Sequence, residues 1–428
     1  MTVFIILLGL VALLLTGLPI FAGLGVASIV LMLLTEGQIG SIADTVFGKL
    51  DTGLLTAIPL FAFMAHVMIR AKVVDDLYAT AHTLVRHLPG GLGVATVLSC
   101  TVFAAISGSS VATALTIGTS AIPQMQRYGY RDRDAFGVVA AGGTLGILIP
   151  PSGPLILYAI VTETSIGALF LAGMIPGLML AAIFAVFCVI QARGRPQVGR
   201  LPRATWAECG QAVRRSFWAL TMPPLVLGGI YMGVFTASEA AAAGCVLGLA
   251  IAVFVYRNFG LRDLYDCAYE TVRTTAMLFM ILAAAAMFGH AVTLMRLPEE
   301  LMAVVTDMGA SPLVFVLAVM AVIFVLGMFL ETISIILVTT PIVFPAMLDL
   351  GINPIWYGIL LMINLELALI TPPVGMNLFV IKGIAKAPLG AIIHGILPYV
   401  GLMFLGLGLV LAWPELTLWL PAVSGFGN

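Results

Sequence analysis

The sequence predicts an all-α, polytopic membrane protein with two inverted-topology repeats, about ten transmembrane helices, two re-entrant helical hairpins and broken helices. Three observations predict this class. Of the 428 residues, 61% are hydrophobic and 9% are charged, whereas a soluble domain carries about 25% charged residues. Two apolar regions are interrupted by polar residues, glycine and proline at matching places in the two halves of the chain. The basic residues are also distributed unevenly between the predicted loops.

The two interrupted regions are related by a constant shift along the sequence. The first reads ISGSSVATALTIGTSAIP (106–123) and GGTLGILIPPSGPLI (142–156), and the second reads FLETISIILVTTPIVFP (329–345) and LELALITPPVGMNLF (365–379). A shift of 222 residues superposes Ser110 on Thr332, Pro123 on Pro345, Pro150-Pro151 on Pro372-Pro373, and Gly153 on Gly375. Paired interruptions of this kind indicate the binding site of a secondary transporter.

The first repeat is expected to occupy residues 1–192. Residues 3–34 exceed one span of about 20 residues and contain the turn signal Gly17-Leu18-Pro19, so we expect spans at 3–16 and 18–34. We read no removable signal peptide there, because a basic region and a small-residue cleavage site are missing from the sequence. A surface arm (35–53), a span (54–72) and an amphipathic stretch (73–90) follow.

Residues 92–126 predict a re-entrant hairpin, because a polar Ser-Gly-Ser-Ser interruption leaves two halves of about 15 residues, each too short to cross. Non-helical backbone at membrane depth is tolerated only against protein or a wet cavity, so the serine tip should lie inside. Residues 134–162 predict a helix broken at Pro150-Pro151, and 166–192 predict a further span.

An arginine-rich linker, 193–216, separates this repeat from the second, 217–428. In the second repeat we expect spans at 217–232 and 239–257, an arm at 258–272, a span at 273–296, a surface stretch at 297–311, a hairpin at 312–347, a broken helix at 354–382 and a last span at 388–413.

The distribution of charge predicts the orientation of this plan. With the N-terminus outside, 17 of the 19 Lys and Arg residues fall on the cytoplasmic side, and Lys49 and Arg296 fall outside. Cytoplasmic loops are enriched in Lys and Arg. The first hairpin then opens to the cytoplasm and the second to the outside, with both chain termini outside.

The hairpin tips and helix breaks predict two ion sites, because they leave backbone carbonyls without intrahelical partners. Carbonyl and hydroxyl oxygens suit Na⁺, and the N-termini of half-helices favour an anionic substrate. Site 1 is expected to combine Ser107, Ser109, Ser110, Gly146, Ile149 and Pro151. Site 2 is expected to combine Gly327, Thr332, Ser334, Ala368 and Thr371. Packing between helices, or a bond to the residue's own helix, is the alternative role for each hydroxyl.

Glu331 and Glu366 are the carboxylates that this plan places at membrane depth, where an ionisable residue is a functional hypothesis by default. Capping or orienting a half-helix and direct coupling to an ion or proton are both open roles. Asn377 can donate to a carboxylate or sulfonate, or bond a neighbouring helix. The expected substrate-binding residues are therefore Ser109, Ser110, Thr332 and Asn377.

Other function classes find little support in the sequence. The five cysteines and five histidines show no metal-ligand spacing, so Na⁺ is the one metal expected, and no other cofactor is expected. A nucleophile elbow, a Walker loop, an HExxH motif and an EF-hand are missing from the sequence. We therefore do not expect an enzyme, an ATP-driven pump or a nucleic-acid-binding protein.

At these residues the sequence resembles the large membrane subunit of TRAP (tripartite ATP-independent periplasmic) transporters over nearly its whole length. ISGSSVATALTIG, GGTLGILIPPSGPLI, ETISIILVTTPIVFP and NLELALITPPVGMNLFVI carry the resemblance, together with TGLPI and GVFTASEAAAAG. The sequence departs from the family at Ala368, where glycine is common, and a backbone ligand would tolerate that change.

The resemblance implies an elevator-type fold of the ion-transporter superfamily, with a transport domain (about 92–192 and 312–413) and a scaffold formed by the remainder. It implies Na⁺-driven uptake of an organic acid anion, such as a dicarboxylate or sugar acid, across the bacterial inner membrane. It also implies a periplasmic substrate-binding protein and a separate four-helix small membrane subunit as partners. The alternative is a binding-protein-independent anion symporter, or a proton-coupled exporter, of the same superfamily.

Overall fold

The computed structural model describes residues 16–35, 37, 39–193, 201–307 and 309–426, together with residues 9–10 and 12–13. Within these residues the chain forms helices and no strand. Seven of the described helical segments are long and apolar enough to cross a membrane, by length and composition, and five shorter apolar helices accompany them. The all-α membrane class is confirmed, whereas the number of crossings and the inversion of the repeats stay predictions.

Nine helices in the first half have both ends within the described residues. Their bounds are α1 Ile20–Thr35, α2 Ile42–Leu50, α3 Ala57–Arg70, α4 Val73–Val85, α5 Gly91–Ser107, α6 Ser110–Arg127, α7 Asp132–Leu148, α8 Gly153–Thr162 and α9 Ile166–Arg193. A 3₁₀ turn, Gly53–Thr56, precedes α3.

Ten helices form the second half, again within the described residues. Their bounds are α10 Trp206–Tyr231, α11 Ala237–Ala250, α12 Leu261–Leu294, α13 Leu297–Asp307, α14 Pro312–Gly327, α15 Thr332–Asp349, α16 Pro354–Leu369, α17 Met376–Ala385, α18 Leu389–Ala412 and α19 Glu415–Val423. A π-helical turn, Ile251–Tyr256, ends α11.

The interrupted regions have the predicted local structure. Two residues join the packed helices α5 and α6 (hairpin 1), and four residues join α14 and α15 (hairpin 2). Each broken helix is two helices separated at its proline pair, α7 and α8 in the first and α16 and α17 in the second. The Pro150–Pro151 and Pro372–Pro373 peptide bonds are both cis.

Several predicted boundaries differ from the structure. The predicted arm 258–272 and span 273–296 form one helix, α12, of 34 residues, because neither proline nor glycine occurs between Leu261 and Phe288 to end it. Helix α10 begins within the predicted linker, at Trp206, where Thr205 and Glu208 form a capping box. Helix α19 was not expected, and most of the predicted span 3–16 lies outside the described residues.

Helix α7 lies at the centre of the molecule and brings the two interrupted regions together. Every residue from Asp134 to Leu148 is buried. Its neighbours are α5 and α6 of hairpin 1, α9, α16 of the second broken helix, and α18. The small residues of the Ala140–Gly143 run let these helices approach closely, as is usual between membrane helices.

Candidate ion and substrate site

The tip of hairpin 1 is a two-residue turn whose backbone geometry follows from its sequence. Gly108 ends α5 in the left-handed region at φ 59°, which favours glycine. A Cβ at Gly108 would collide with the carbonyl oxygen of Pro151 in the first break. Ser109 then begins α6 as its N-cap, and its hydroxyl accepts from the Ala112 N–H at 3.4 Å.

The first break lies directly against this tip. A Cβ added to Gly146 would lie 2.5 Å from the carbonyl oxygen of Ser109 and 2.8 Å from the Ser110 nitrogen. The structure therefore brings together Ser109, Ser110, Gly146 and Pro151, four of the six residues predicted for site 1. Ile149 is buried beside them at the end of α7. The hydroxyl of Ser107, the sixth, lies 2.8 Å from that of Thr113.

The tip of hairpin 2 contacts the second break in a similar way. A Cβ at Gly327 would lie 2.6 Å from the Ala368 methyl group, so the glycine makes room for the alanine that departs from the family pattern. The Gly375 N–H donates to the Met328 carbonyl at 3.3 Å. The Thr371 hydroxyl donates to the Leu367 carbonyl of its own helix at 2.6 Å. That bond is the alternative role that the sequence left open for Thr371.

Thr332 and Ser334, the other predicted members of site 2, keep buried hydroxyls without a partner among the described residues. They lie at the start of α15 and are 4% and 0% exposed, respectively. Buried hydroxyls are usually hydrogen-bonded. The pair is therefore available to a ligand at the end of a helix that favours negative charge.

The two breaks leave equivalent carbonyl groups for an ion. The Gly146 carbonyl would accept from the N–H of residue 150, and the Ala368 carbonyl from that of residue 372, but both are prolines and have no N–H. Ala368 instead accepts from the Thr371 N–H at 3.1 Å and keeps its second lone pair. Carbonyl and hydroxyl oxygens are the hard ligands that Na⁺ takes at unwound helices, so the residues present fit this ion.

A hydrogen-bond network centred on Ser110 joins the two predicted repeats. Its hydroxyl lies 2.7 Å from Glu366 Oε2 and 3.0 Å from the Gly143 carbonyl oxygen, and it can donate to either. Asn377 Nδ2 donates to the same hydroxyl at 3.1 Å. Four helices, α6, α7, α16 and α17, therefore meet at one side chain. We call Ser110, Gly143, Glu366 and Asn377 the cross-repeat network.

The two predicted carboxylates lie in different surroundings. Glu366 is 1% exposed and bonds Ser110, which corresponds to the orienting role. Glu331 holds the N-cap position of α15 but makes no side-chain capping bond. It lines a cavity of about 220 Å³, the central cavity, between the two hairpin tips.

The central cavity gathers most of the predicted substrate residues and adds others. Ser109, Ser110 and Thr332 line it, whereas Asn377 bonds Ser110 outside its lining. Part of its wall comes from α3 and α12, through residues that sequence reasoning missed. These residues are Ile58, Phe61, Ala62, Thr274, Met277 and Leu278. Nothing in an apolar helix distinguishes them until the fold is known.

The comparison with known families decides the identity of the chain. The model of the "Tripartite ATP-independent periplasmic transporter, DctM component" family matches residues 7–416. The chain belongs to the DctM family.

Relatives of this DctM-family chain have been named for different substrates. The C4-dicarboxylate TRAP transporter large permease protein of Pseudomonas aeruginosa is 40% identical over 394 residues, 92% of each chain. The ectoine TRAP transporter large permease protein of Halomonas elongata is 34% identical over 416 residues, 96% of each chain. Among solved structures, the YdaH transporter of Alcanivorax borkumensis is similar in fold, with a TM-score of 0.64, 14% identity and 88% of each chain covered.

Proposed function

We propose that this DctM-family chain mediates Na⁺-coupled uptake of a small organic acid anion across the bacterial inner membrane, by an elevator movement. A periplasmic binding protein delivers the anion, and a small four-helix membrane subunit completes the membrane complex. The anion is a dicarboxylate, a sugar acid or a compound of similar charge and size. The relatives named for a C4-dicarboxylate and for ectoine support a small, highly polar substrate.

The observation that carries this proposal is the convergence of both hairpin tips on one cavity. The N-terminal ends of α6 and α15 lie at the central cavity through Ser110 and Thr332. Helix N-termini carry partial positive charge and unpaired N–H groups, which favour an anion. The Gly146 and Ala368 carbonyls, freed by the proline pairs, supply the acceptors for the ion beside it.

Coupling follows from the charges at the central cavity. Glu331 is the one charged side chain among its described lining residues, and its carboxylate opposes a bound anion. Na⁺ bound at the neighbouring breaks offsets that repulsion, so the anion binds tightly only when the ion is present. This differential affinity is the condition that any coupled transporter must meet.

Uptake by the complete complex in proteoliposomes tests this function. We expect uptake of succinate, or of another anion that the binding protein takes, to require both inward-directed Na⁺ and the binding protein. Unchanged uptake in Na⁺-free buffer would contradict coupling. Na⁺-dependent uptake without the binding protein would instead identify a stand-alone symporter, and proton-driven export would identify the alternative exporter.

The elevator movement has a separate test at the contact between α12 and α15. A Cβ at Gly289 would lie 3.4 Å from the Pro341 Cβ, close to the separation of about 3.5–4.5 Å that a disulfide needs. Oxidation of the Gly289→Cys/Pro341→Cys pair should stop uptake, and reduction should restore it. Each single variant is the control. Full uptake by the oxidised, cross-linked pair would show that these helices need not slide.

A further inference from the structure

A second partly polar cavity lies between α12 and α15, beyond the central cavity. It has a volume of about 350 Å³, and we call it the seam cavity. Its ionisable or unpaired polar groups belong to Lys49 of α2, His290 of α12 and Thr340 of α15. None of these residues belongs to the sites predicted from the sequence. The cavity therefore needs an explanation of its own.

Two adjacent threonines of α15 show that the seam cavity holds a polar group with no intrahelical partner. The Thr339 hydroxyl donates to the Ile335 carbonyl at 2.7 Å, and this residue faces a different, wholly apolar cavity between α13, α14 and α15. Thr340 is 2% exposed and lines the seam cavity. Its hydroxyl has no partner among the described residues, and neither has His290 Nε2.

The charge at the seam cavity is positive. Lys49 lines it, and no acidic side chain does within the described residues. Glu163 reaches the Lys49 ammonium group at 3.6 Å, but its own side chain is 84% exposed. Such exposed pairs are weak, so a bound anion can compete with Glu163 for the ammonium group. A hydroxyl, an imidazole and an ammonium group are together a donor set for a carboxylate.

The seam cavity and the central cavity follow one face of α12. Thr274, Met277 and Leu278 line the central cavity, and residues from Leu282 to Thr293 line the seam cavity. The spacing of three and four residues keeps these positions on one face of the helix. Helix α15 accompanies them, with Thr332 at the central cavity and Thr340 at the seam cavity. The two cavities thus lie in sequence along one contact between helices.

We propose that the seam cavity is an anion-binding vestibule that holds a carboxylate of the transported anion beside Lys49, His290 and Thr340 before it enters the central cavity. The proposal rests on the proposed function, since it names a stage of the same uptake. On the predicted orientation, the C-terminal end of α12 lies on the outer side, where the binding protein releases its ligand. An anion that enters there passes along α12 toward the hairpin tips.

Charge-selective labelling of a cysteine tests the vestibule without relying on transport. In the complete complex, Thr340→Cys is exposed to an anionic and to a cationic methanethiosulfonate, and the unsubstituted protein corrects for its five native cysteines. We expect the anionic reagent to react faster by on the order of tenfold, the effect of one positive charge at about 10 Å in a partly wet cavity. Succinate should slow this reaction.

Matched variants assign the effect to the vestibule. Thr339→Cys, one residue away in the apolar cavity, should show no charge preference. Adding Lys49→Gln to Thr340→Cys should remove the preference, whereas adding Glu163→Gln, which breaks the same ion pair but keeps the ammonium group, should preserve it. Labelling of Thr340→Cys by a lipid-soluble maleimide alone would indicate a lipid-filled cavity and overturn the proposal. Equal rates for the two charged reagents, or a faster cationic reagent, would also overturn it.

These outcomes separate the vestibule from the proposed function. Anion-selective, succinate-protected labelling in a complex whose uptake ignores Na⁺ would keep the vestibule and refute Na⁺ coupling. Na⁺-coupled uptake with unselective labelling would keep the transport function and refute the vestibule.

Discussion

The Ser110→Ala substitution removes the side chain on which the cross-repeat network depends. The hydroxyl accepts from Asn377 and donates its one proton to Glu366 or Gly143, and an alanine can make none of these bonds. Glu366 and Asn377 are almost completely buried, so water cannot readily replace the lost partner. We therefore expect a loss of both stability and Na⁺ dependence.

The size of the stability loss can be worked from the contacts. Two hydrogen bonds, one donated and one accepted by the hydroxyl, at about 0.6 kcal/mol each, the average between membrane helices, give a lower figure of about 1 kcal/mol. Two buried side-chain groups left without partners, at about 1–3 kcal/mol each, give an upper figure of about 6 kcal/mol. The free energy of unfolding is measured from denaturant-induced loss of helical circular dichroism in mixed micelles. The same samples give the Na⁺ concentration for half-maximal uptake.

Ser99→Ala is the matched control for this substitution. Ser99 lies in the same hairpin and is 1% exposed, but its hydroxyl donates to the Ala95 carbonyl of its own helix. Such a bond to the residue's own helix is slightly destabilising, so its loss should change stability far less than the loss of the cross-repeat network. In the double variant Ser110→Ala/Asn377→Ala, the loss in the free energy of unfolding should be smaller than the sum of the two single losses by about 0.5–3 kcal/mol, because the residues are in contact. Additive effects, or equal losses in Ser110→Ala and Ser99→Ala, would refute this reasoning.

Three further substitutions test other parts of the structure. Gly146→Ala places a Cβ 2.5 Å from the carbonyl of the hairpin 1 tip, so it should cost about 1–3 kcal/mol and abolish uptake. Gly401→Ala, in α18 with nothing within 4 Å of the added Cβ, should retain uptake. Thr332→Val removes a hydroxyl with no partner among the described residues, so the Na⁺ concentration for half-maximal uptake should rise several-fold with little change in unfolding. Arg86→Ala removes the 2.8 Å pair with Glu208 and should speed trypsin cleavage of the linker at neutral pH. Because a backbone N–H of the N-cap residue and then Arg86 lower the pKa of Glu208, the wild-type pair should persist at neutral pH and be lost as the pH falls through that lowered pKa, which hydrogen exchange at the start of α10 would detect.

The interruptions were predictable because the responsible residues act locally. A proline pair removes two N–H donors wherever it occurs, and a Ser-Gly-Ser-Ser run both ends one helix and caps the next. The limit of this reasoning appears in α10, which continues through Pro223 and Pro224. The two pairs that do break a helix are followed at the second position by Gly153 and Gly375. Proline pairs alone therefore do not predict a break.

The contacts at the site were less predictable because they join distant parts of the sequence. Ser110 and Glu366 are separated by 256 residues, and their pairing depends on how α6, α7 and α16 pack. The shift of 222 residues matched Ser110 with Thr332 and Gly146 with Ala368, which gave the ligand types of each site but not the bond between the repeats. The walls supplied by α3 and α12 carry no local signal.

The long-range side-chain hydrogen bonds sort into two groups that support the proposed division into transport domain and scaffold. Bonds within the transport group include Tyr158 to Pro354, Trp356 to Val410, and the cross-repeat network. Bonds within the scaffold group include His66 with Thr271, Arg70 to Asp263, and Thr80 with Ser216.

Few such bonds among the described residues join one group to the other, and those that do are weak. They are Ser120 to Asp75, an exposed pair; Tyr78 with Thr96, at 3.5 Å; and the exposed ion pair of Lys49 with Glu163. Exposed ion pairs contribute about 0–1 kcal/mol, and a hydrogen bond as long as 3.5 Å is weak. Sliding of one group past the other therefore breaks little polar structure, whereas separating hairpin 1 from the second broken helix would disrupt the buried cross-repeat network. On this ground we expect the proposed elevator movement to carry both hairpins together.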